Sequence, residues 1–164
     1  MADRTPFPRS SAWDQPGFLL WHSTLRWQRA AAAALAPLNL TQTPFRMLVS
    51  TVWLAENLGE PPSQRVLADH TGADAMMTSQ VVRALERGGL LSREQDPNDS
   101  RVKRLRTTDQ GRAVALEAVQ AIEQVDRDFF GDEEQFAEST LVLRRLAGRD
   151  THGDLVDTRW QREP

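Results

Sequence analysis

The chain has 164 residues, of which 40% are hydrophobic and 26% charged, a balance typical of one globular domain with a single core. It contains no cysteine, which excludes disulfides, thiolate nucleophiles and cysteine-ligated zinc. The three histidines are far apart in the sequence, so we expect no metal site. No apolar run reaches the roughly 18 residues of a membrane span, and the first residues lack the apolar segment of a signal peptide. We therefore expect a cytoplasmic protein with no membrane partner.

Positive charge is concentrated in one stretch of an acidic chain. The net charge is −3, but residues 93–106 hold five basic side chains against three acidic ones. Aspartate and glutamate dominate residues 117–157. Because the distribution of charge matters more than its sum, we expect a polyanion to approach one face only.

The chain begins with a predicted arm and a long helix. Residues 1–13 contain prolines and small polar residues and are interpreted as a flexible arm. Asp14 followed by Pro16 is a helix-start signal. Apolar residues at helical spacing predict a helix over 17–36, which Pro37 ends.

A second helix is predicted to begin at a cap. Thr43 followed by Pro44 fits a cap residue and a proline in the first helical position, and the helix is expected to run to about Asn57. Its apolar stripe is predicted to consist of Phe45, Leu48, Val49, Val52 and Trp53.

Two short helices joined by a turn are predicted next. Ser63 opens the first, which Gly72 ends, and Asp74 caps the second, which extends over residues 75–87. A turn of about three residues between two short helices is the pattern of a helix-turn-helix.

A hairpin and two further helices follow. Residues 90–95 and 101–107 are strand-like, and the turn formers between them predict a β-hairpin, which is a wing when it follows a helix-turn-helix. Thr108 is expected to cap a helix ending near Phe130, and Asp132 to cap a last helix ending near Leu146. Residues 148–164 form a polar tail.

Two stretches of sequence carry a resemblance to a known family. One is MMTSQVVRALERGGLLSRE over residues 76–94, and the other is DPNDSRVKRLRTTDQG over residues 96–111. The second holds an Asp-x-Arg, at Asp99 and Arg101, before a helix start with Gly111. In this order they resemble the MarR family over residues 17–147. Thr107 stands where that family prefers leucine, and Gln80 where many members carry arginine.

The resemblance implies a fold and a function. The fold class is mostly α with a small β-hairpin wing, in a single domain over 14–147. Residues 43–111 would form the winged helix-turn-helix, and residues 14–42 and 112–147 a helical dimerisation region. The function implied is that of a dimeric, sequence-specific DNA-binding repressor that is relieved by a small-molecule ligand.

The partner is expected to be double-stranded DNA with a pseudo-palindromic operator, read by the second short helix in the major groove and by the wing beside it. In the wing we expect Arg101 to contribute most, with Asp99 holding its guanidinium group through a charge-assisted pair. The candidate DNA-binding residues are Met76, Thr78, Ser79, Gln80, Arg83, Arg93, Asp99, Arg101, Lys103 and Arg104.

A homodimer and a ligand are also predicted. The first helix and the last two carry more apolar surface than a helix-turn-helix can cover, at Phe18, Trp21, Leu25, Phe129, Phe130, Phe136, Leu143 and Leu146. Tryptophans beside a cation suit a small aromatic or anionic molecule. The candidate ligand-binding residues are Trp21, His22, Arg26, Trp27, Arg46 and Trp53.

Two other functions stay open at this point. A winged helix can dock an acidic protein through its basic wing without sequence-specific DNA binding. An enzyme is the third alternative, but we see no nucleophile, acid–base pair, catalytic residue or phosphate loop, and we expect no cofactor.

Overall fold

The computed structural model describes residues 14–97, 99 and 101–148, so the predicted arm over 1–13 and residues 149–164 of the predicted tail lie outside the described residues. A short 3-10 turn, Ala36–Leu38, follows the first helix. The helices are α1 Pro16–Leu35, α2 Gln42–Leu58, α3 Gln64–Thr71, α4 Ala75–Arg87, α5 Asp109–Phe130 and α6 Glu133–Leu146, and the strands are β1 Leu91–Gln95 and β2 Lys103–Thr107. The predicted fold class, mostly helical with one hairpin, is confirmed.

The start of α2 differs from the prediction. Its N-cap is Thr41, and no side chain caps it. Thr43 and Pro44 lie inside the first turn, so the predicted cap at Thr43 was wrong by two residues. A proline is tolerated there because the amide groups of the first turn have no partner within the helix. The Phe45 N–H makes the first of the helical bonds, to the Thr41 carbonyl at 3.0 Å.

Helix α2 lies at the centre of the fold, in contact with α1, α3, α4, α5 and β2. Because it has neighbours on several sides, its buried positions are Met47, Leu48, Ser50, Thr51 and Leu54. They extend around the helix beyond the stripe predicted from hydrophobicity. Trp53 was expected inside this stripe, but it is 51% exposed.

The hairpin is joined tightly to the start of α5. Thr108 caps α5 as predicted, and its hydroxyl also donates to the Gly89 carbonyl at 2.6 Å. A Cβ on Gly111 would lie 1.9 Å from the carbonyl oxygen of Leu90, so only glycine fits. Close packing of the α5 start against the residue before β1 therefore explains Gly111 in the family-like motif.

The two ends of the described chain are the least covered part of the fold. Helix α6, all of which is described, contains no buried residue. Leu141, Val142 and Leu146 on α6 and Trp21 on α1 are each exposed by 45% or more. This apolar surface has nothing to cover it within the described residues of one chain.

Candidate nucleic-acid interface

Side-chain caps define the helix-turn-helix. The Ser63 hydroxyl accepts the Val66 N–H at 3.2 Å, and the Asp74 carboxylate accepts the Met77 N–H at 2.7 Å. Gly72 ends α3 in the left-handed region with φ of 65°, which glycine adopts without strain. The predicted start and end of α3 and the predicted cap of α4 are thereby confirmed.

One face of α4 belongs to the core. Thr78, Val82 and Leu85 are buried, and the Thr78 hydroxyl donates to the Asp74 carbonyl at 2.8 Å. Thr78 was among the expected DNA contacts. Its side chain is 0% exposed, so this expectation is corrected: packing against the body of the fold takes Thr78 away from the surface.

The opposite face of α4 is turned to solvent. Met76 is 73% exposed, and Gln80, Arg83 and Arg87 are exposed as well. Ser79 is half-buried at the margin of this face. The helix therefore presents an amide, two guanidinium groups and a thioether together, a set that can bond base edges and contact a thymine methyl group.

The two strands pair in an antiparallel register, and their basic side chains differ in exposure and in pairing. Leu91 and Leu105 are buried and anchor the hairpin, while Lys103 opposite Gln95 is exposed. Arg93 forms an ion pair with Glu86 of α4, which lowers the pKa of the Glu86 carboxyl. Arg93 thus has an acidic partner at the base of the wing and is not a free cation.

Arg104 is also paired, and it is half-buried. Its side chain is 24% exposed and donates to the carboxylate of Asp96, to Glu60 at 2.9 Å and to the Pro61 carbonyl at 3.1 Å. The hydrogen bond with Asp96 is the main cause of a raised pKa of Arg104. These contacts place Arg104 among the structural groups at the base of the wing.

The tip of the wing presents one prominent cation. The Arg101 side chain is 89% exposed, and its Nε lies 3.2 Å from Oδ1 of Asp99. The Arg101 backbone N–H donates to the same oxygen at 3.0 Å. Both bonds lower the pKa of the Asp99 carboxyl. The expected pairing of Asp99 with Arg101 is present, and it leaves the guanidinium group open to solvent.

A polar helix face and a cationic wing, joined through one core, fit a family of known regulators. Residues 40–103 match the MarR family. The helix-turn-helix-type transcriptional regulator YdcH of Bacillus subtilis is 38% identical over 115 residues, which are 70% of this chain and 78% of that protein. The chain belongs to the MarR family.

Solved structures share this MarR fold. CouR from Rhodococcus jostii, bound to p-coumaroyl-CoA, is 27% identical with a TM-score of 0.70, over 84% of this chain and 95% of that chain. The transcriptional repressor CouR bound to a 23-mer DNA duplex matches at 23% identity with a TM-score of 0.71, over 85% and 98% of the two chains. At 23% identity the second match supports the fold alone.

The expected ligand residues of this MarR-family chain lie in four places. Trp21 and His22 form a ring cluster with Phe18 at the exposed start of α1, with ring centroids 4.5–5.7 Å apart. The Arg26 guanidinium lies 5.7 Å from the ring centre of Phe129. The structure therefore does not bring these residues to one pocket within the chain.

Trp27 and Arg46 do meet, across α1 and α2. Both line a cleft of about 210 Å³ whose floor is formed by Ala31, Leu35 and Ile122. The Trp27 Nε1–H donates to Asp126 at 2.7 Å, which fixes the indole at the edge of this cleft.

Trp53 lies in a different cleft, of about 330 Å³, between α2 and α5. Its ring stacks on His70 with centroids 5.0 Å apart. Arg112 of α5 lines the same cleft and pairs with Glu56. Sequence reasoning missed Arg112 and Glu56, because their proximity depends on how α2 and α5 cross and is not visible in local spacing.

Among the described residues, no helix is both long and apolar enough to cross a membrane. Over the same residues, no three potential metal-ligating side chains come together.

Proposed function

We propose that this MarR-family regulator is a dimeric repressor that binds operator DNA through α4 and the wing and is released by a small-molecule ligand. The observation that carries the proposal is the solvent-facing side of α4 together with Arg101, exposed at the wing tip and oriented by Asp99. An operator on the chromosome would place the protein in the cytoplasm.

The residues of the interface divide by what they can reach. On α4 we propose Met76, Gln80 and Arg83 for base edges, with Ser79 at the margin for a phosphate or a base. An amide such as that of Gln80 pairs with adenine in two hydrogen bonds, and an arginine pairs with guanine in the same way.

In the wing, two of the four basic residues expected at the interface are proposed as DNA contacts. Arg101 and Lys103 are exposed, and we propose that they bind the minor groove or neighbouring phosphates. Arg93 and Arg104, although expected at the interface, are paired with Glu86 and with Asp96 and Glu60. We therefore assign them to the support of the wing.

A second copy of the chain completes the proposal. The exposed apolar side chains of α1 and α6 are the surface we assign to the dimer, because no described part of the same chain covers them. A two-fold dimer would set two α4 helices about 34–36 Å apart, one turn of DNA, so each half of a pseudo-palindrome meets one subunit.

For the ligand we propose an aromatic acid or a related anionic aromatic compound at the Trp27–Arg46 cleft. The indole of Trp27 offers a flat wall and Arg46 offers a cation within one opening. CouR, which is bound to p-coumaroyl-CoA in its structure, supports an aromatic acyl group. Quenching of tryptophan fluorescence by aromatic acids, absent in Arg46→Ala, tests the site. No change up to millimolar ligand would reject it.

The DNA proposal is tested by fluorescence anisotropy. The probe is a duplex selected by the protein from a random-sequence library. Arg101→Ala is compared with Arg112→Ala, which removes a 64% exposed arginine of α5 outside the proposed DNA and dimer surfaces. We expect a steep salt dependence, because an interface with about six to ten phosphate contacts loses roughly 10³–10⁵-fold in affinity between about 50 and 200 mM salt. Arg101→Ala should weaken binding about 10-fold or more, and Arg112→Ala should leave it unchanged.

The other results reject the proposal. If no duplex is enriched and a random duplex binds as well as any other, sequence-specific DNA binding is excluded. In that case the alternative of a winged-helix module that docks an acidic protein becomes the leading one. Equal binding by Arg101→Ala and the wild-type protein would reject the proposed role of Arg101 and leave that of α4 in place.

A further inference from the structure

Arg104 occupies a junction between the wing and the helix-turn-helix. Its guanidinium group donates to acceptors from two separate segments, Asp96 at the end of β1 and the pair Glu60 and Pro61 in the loop between α2 and α3. A planar group with fixed donor directions can hold two such segments at one distance and one angle.

The backbone beside Arg104 makes the same connection. The Leu105 N–H donates to the Pro62 carbonyl at 2.8 Å, and Arg104 forms an isolated antiparallel bridge with Ser63, the cap of α3. The wing is therefore attached directly to the first residues of the helix-turn-helix.

Asp96 transmits this attachment to the tip of the wing. Its carboxylate is buried, pairs with Arg104 through Oδ2 and accepts the Asp99 N–H through Oδ1 at 3.1 Å. Asp99 in turn binds the Arg101 guanidinium group. A continuous series of hydrogen bonds thus leads from the loop before α3 to the exposed side chain of Arg101.

We propose that Arg104, Asp96 and Glu60 form a clamp that positions Arg101 for DNA, and that none of the three contacts DNA itself. The proposal rests on the DNA-binding function proposed above. It makes the wing a rigid extension of the helix-turn-helix, so that Arg101 meets DNA in a fixed relation to α4. It also replaces the expectation that Arg104 is a phosphate contact.

Charge-conserving and charge-removing substitutions separate the clamp from direct contact. Arg104→Lys keeps the positive charge, but a lysine has its donors on a single atom and cannot hold both segments. If Arg104 contacts phosphate, Arg104→Lys binds the selected duplex as the wild type does. If Arg104 is a clamp, we expect about 5- to 10-fold weaker binding.

For Glu60→Gln, the clamp and simple electrostatics predict opposite changes in DNA affinity. The substitution removes a negative charge from a DNA-binding face, which by simple electrostatics strengthens binding. The clamp predicts weaker binding, by about 3-fold or more. Glu94→Gln is the matched control: it removes an exposed carboxylate from the wing, where Glu94 pairs with Arg106 and has no part in the clamp. It should bind as well as the wild type or more tightly.

A double-mutant cycle then identifies what the clamp acts on. In a Glu60→Gln or Arg104→Lys background, Arg101→Ala should cost less than about 3-fold, against about 10-fold or more in the wild-type background. Thermal unfolding of each variant, measured alongside, checks that the fold is intact, and the side chain of Glu60 is 58% exposed, so its substitution is expected to be tolerated.

Each outcome bears on one proposal. Tighter binding by Glu60→Gln, wild-type binding by Arg104→Lys, or an undiminished cost of Arg101→Ala in the folded variants would each overturn the clamp while DNA binding stands. If the wild-type protein selects no duplex, DNA binding itself fails, which the first titration reveals before any clamp variant is compared.

Discussion

The winged lobe, residues 63–107, contains several fully buried side chains. The helical ends, α1 and α6, contain very few. In the winged lobe Leu67, Val82 and Leu105 are completely buried, and ion pairs join the hairpin to α4 and to the loop before α3. Helix α6 contains no buried residue, and in α1 only Ala31 and Leu35 are buried. The described residues of one chain therefore suffice to build the core of the winged lobe, whereas they leave apolar side chains of α1 and α6 uncovered.

Stability should change most when a cavity is made in the core of the winged lobe. Leu67→Ala should lower the free energy of unfolding by about 2–5 kcal/mol, since the leucine is 0% exposed and its removal leaves a void. Leu141→Ala on α6, where the side chain is 60% exposed, should cost the single chain less than about 1 kcal/mol. Urea unfolding at two protein concentrations about 100-fold apart measures both. Similar losses of unfolding free energy in the two variants at low concentration would show that the winged lobe and α6 do not differ in burial.

A comparable effect, on association instead of folding, is expected at the proposed dimer surface. Leu143→Glu combined with Leu146→Glu should raise the dimer dissociation constant at least about 100-fold, because each buried leucine contributes about 1.5–3 kcal/mol and a buried charge opposes association. Met76→Glu introduces the same change at a 73% exposed apolar residue of α4 and should leave the dimer intact. Sedimentation velocity distinguishes the species. A dimer that persists in the double variant would place the interface elsewhere.

Two glycines extend the comparison to the backbone. Gly111→Ala forces a Cβ against the Leu90 carbonyl and should destabilise the protein by about 1–3 kcal/mol. Gly17→Ala on α1 has no described neighbour within 4 Å of the added Cβ and should be neutral or stabilising by up to about 1 kcal/mol. Thermal unfolding ranks the two variants. An unaffected Gly111→Ala would show that the start of α5 can move away from the hairpin without loss.

The smallest expected effect is the response of the wing tip to pH. Hydrogen bonds from Arg101 lower the pKa of the Asp99 carboxyl below its ordinary value, against the opposing effects of desolvation and of the Asp96 charge. A lowered folded pKa means that the pair is fully formed above the ordinary value and is lost only as the pH falls through the lowered one. The affinity ratio of wild type to Arg101→Ala should therefore differ by less than about 2-fold between about pH 5.5 and 8. A ratio that shrinks at the lower pH would show that the pair titrates in the physiological range.

Local signals in the sequence were sufficient for most of the element boundaries. The caps Ser63, Asp74, Thr108 and Asp132 each hold a backbone N–H of the first turn, as their residue types predict. The start of α2 was the exception, because Thr41 caps it through its backbone alone and the Thr43–Pro44 pair is a stronger local signal.

The candidate interface was predictable only in outline. The exposed face of α4 and the pairing of Asp99 with Arg101 follow from helical spacing and from a separation of two residues. Local spacing does not show whether a cation is exposed or paired. Arg104, for example, binds Glu60, which is 44 positions away in the chain. The burial of Thr78 and the separation of Trp27 from Trp53 likewise depend on how α4 and α2 pack.

Residue types and short motifs were sufficient to predict the order of helices and hairpin, the capped helix-turn-helix, the Asp99–Arg101 pair and membership of the MarR family. These depend on interactions between residues close in the chain or on motifs read in order. The packing of the elements, in contrast, was needed to see which arginines are paired and which are exposed, where the clefts lie and which apolar faces the described residues leave uncovered. Those properties arise from contacts between distant segments, and a side chain's neighbours, rather than its type, determine whether it is core, clamp or contact.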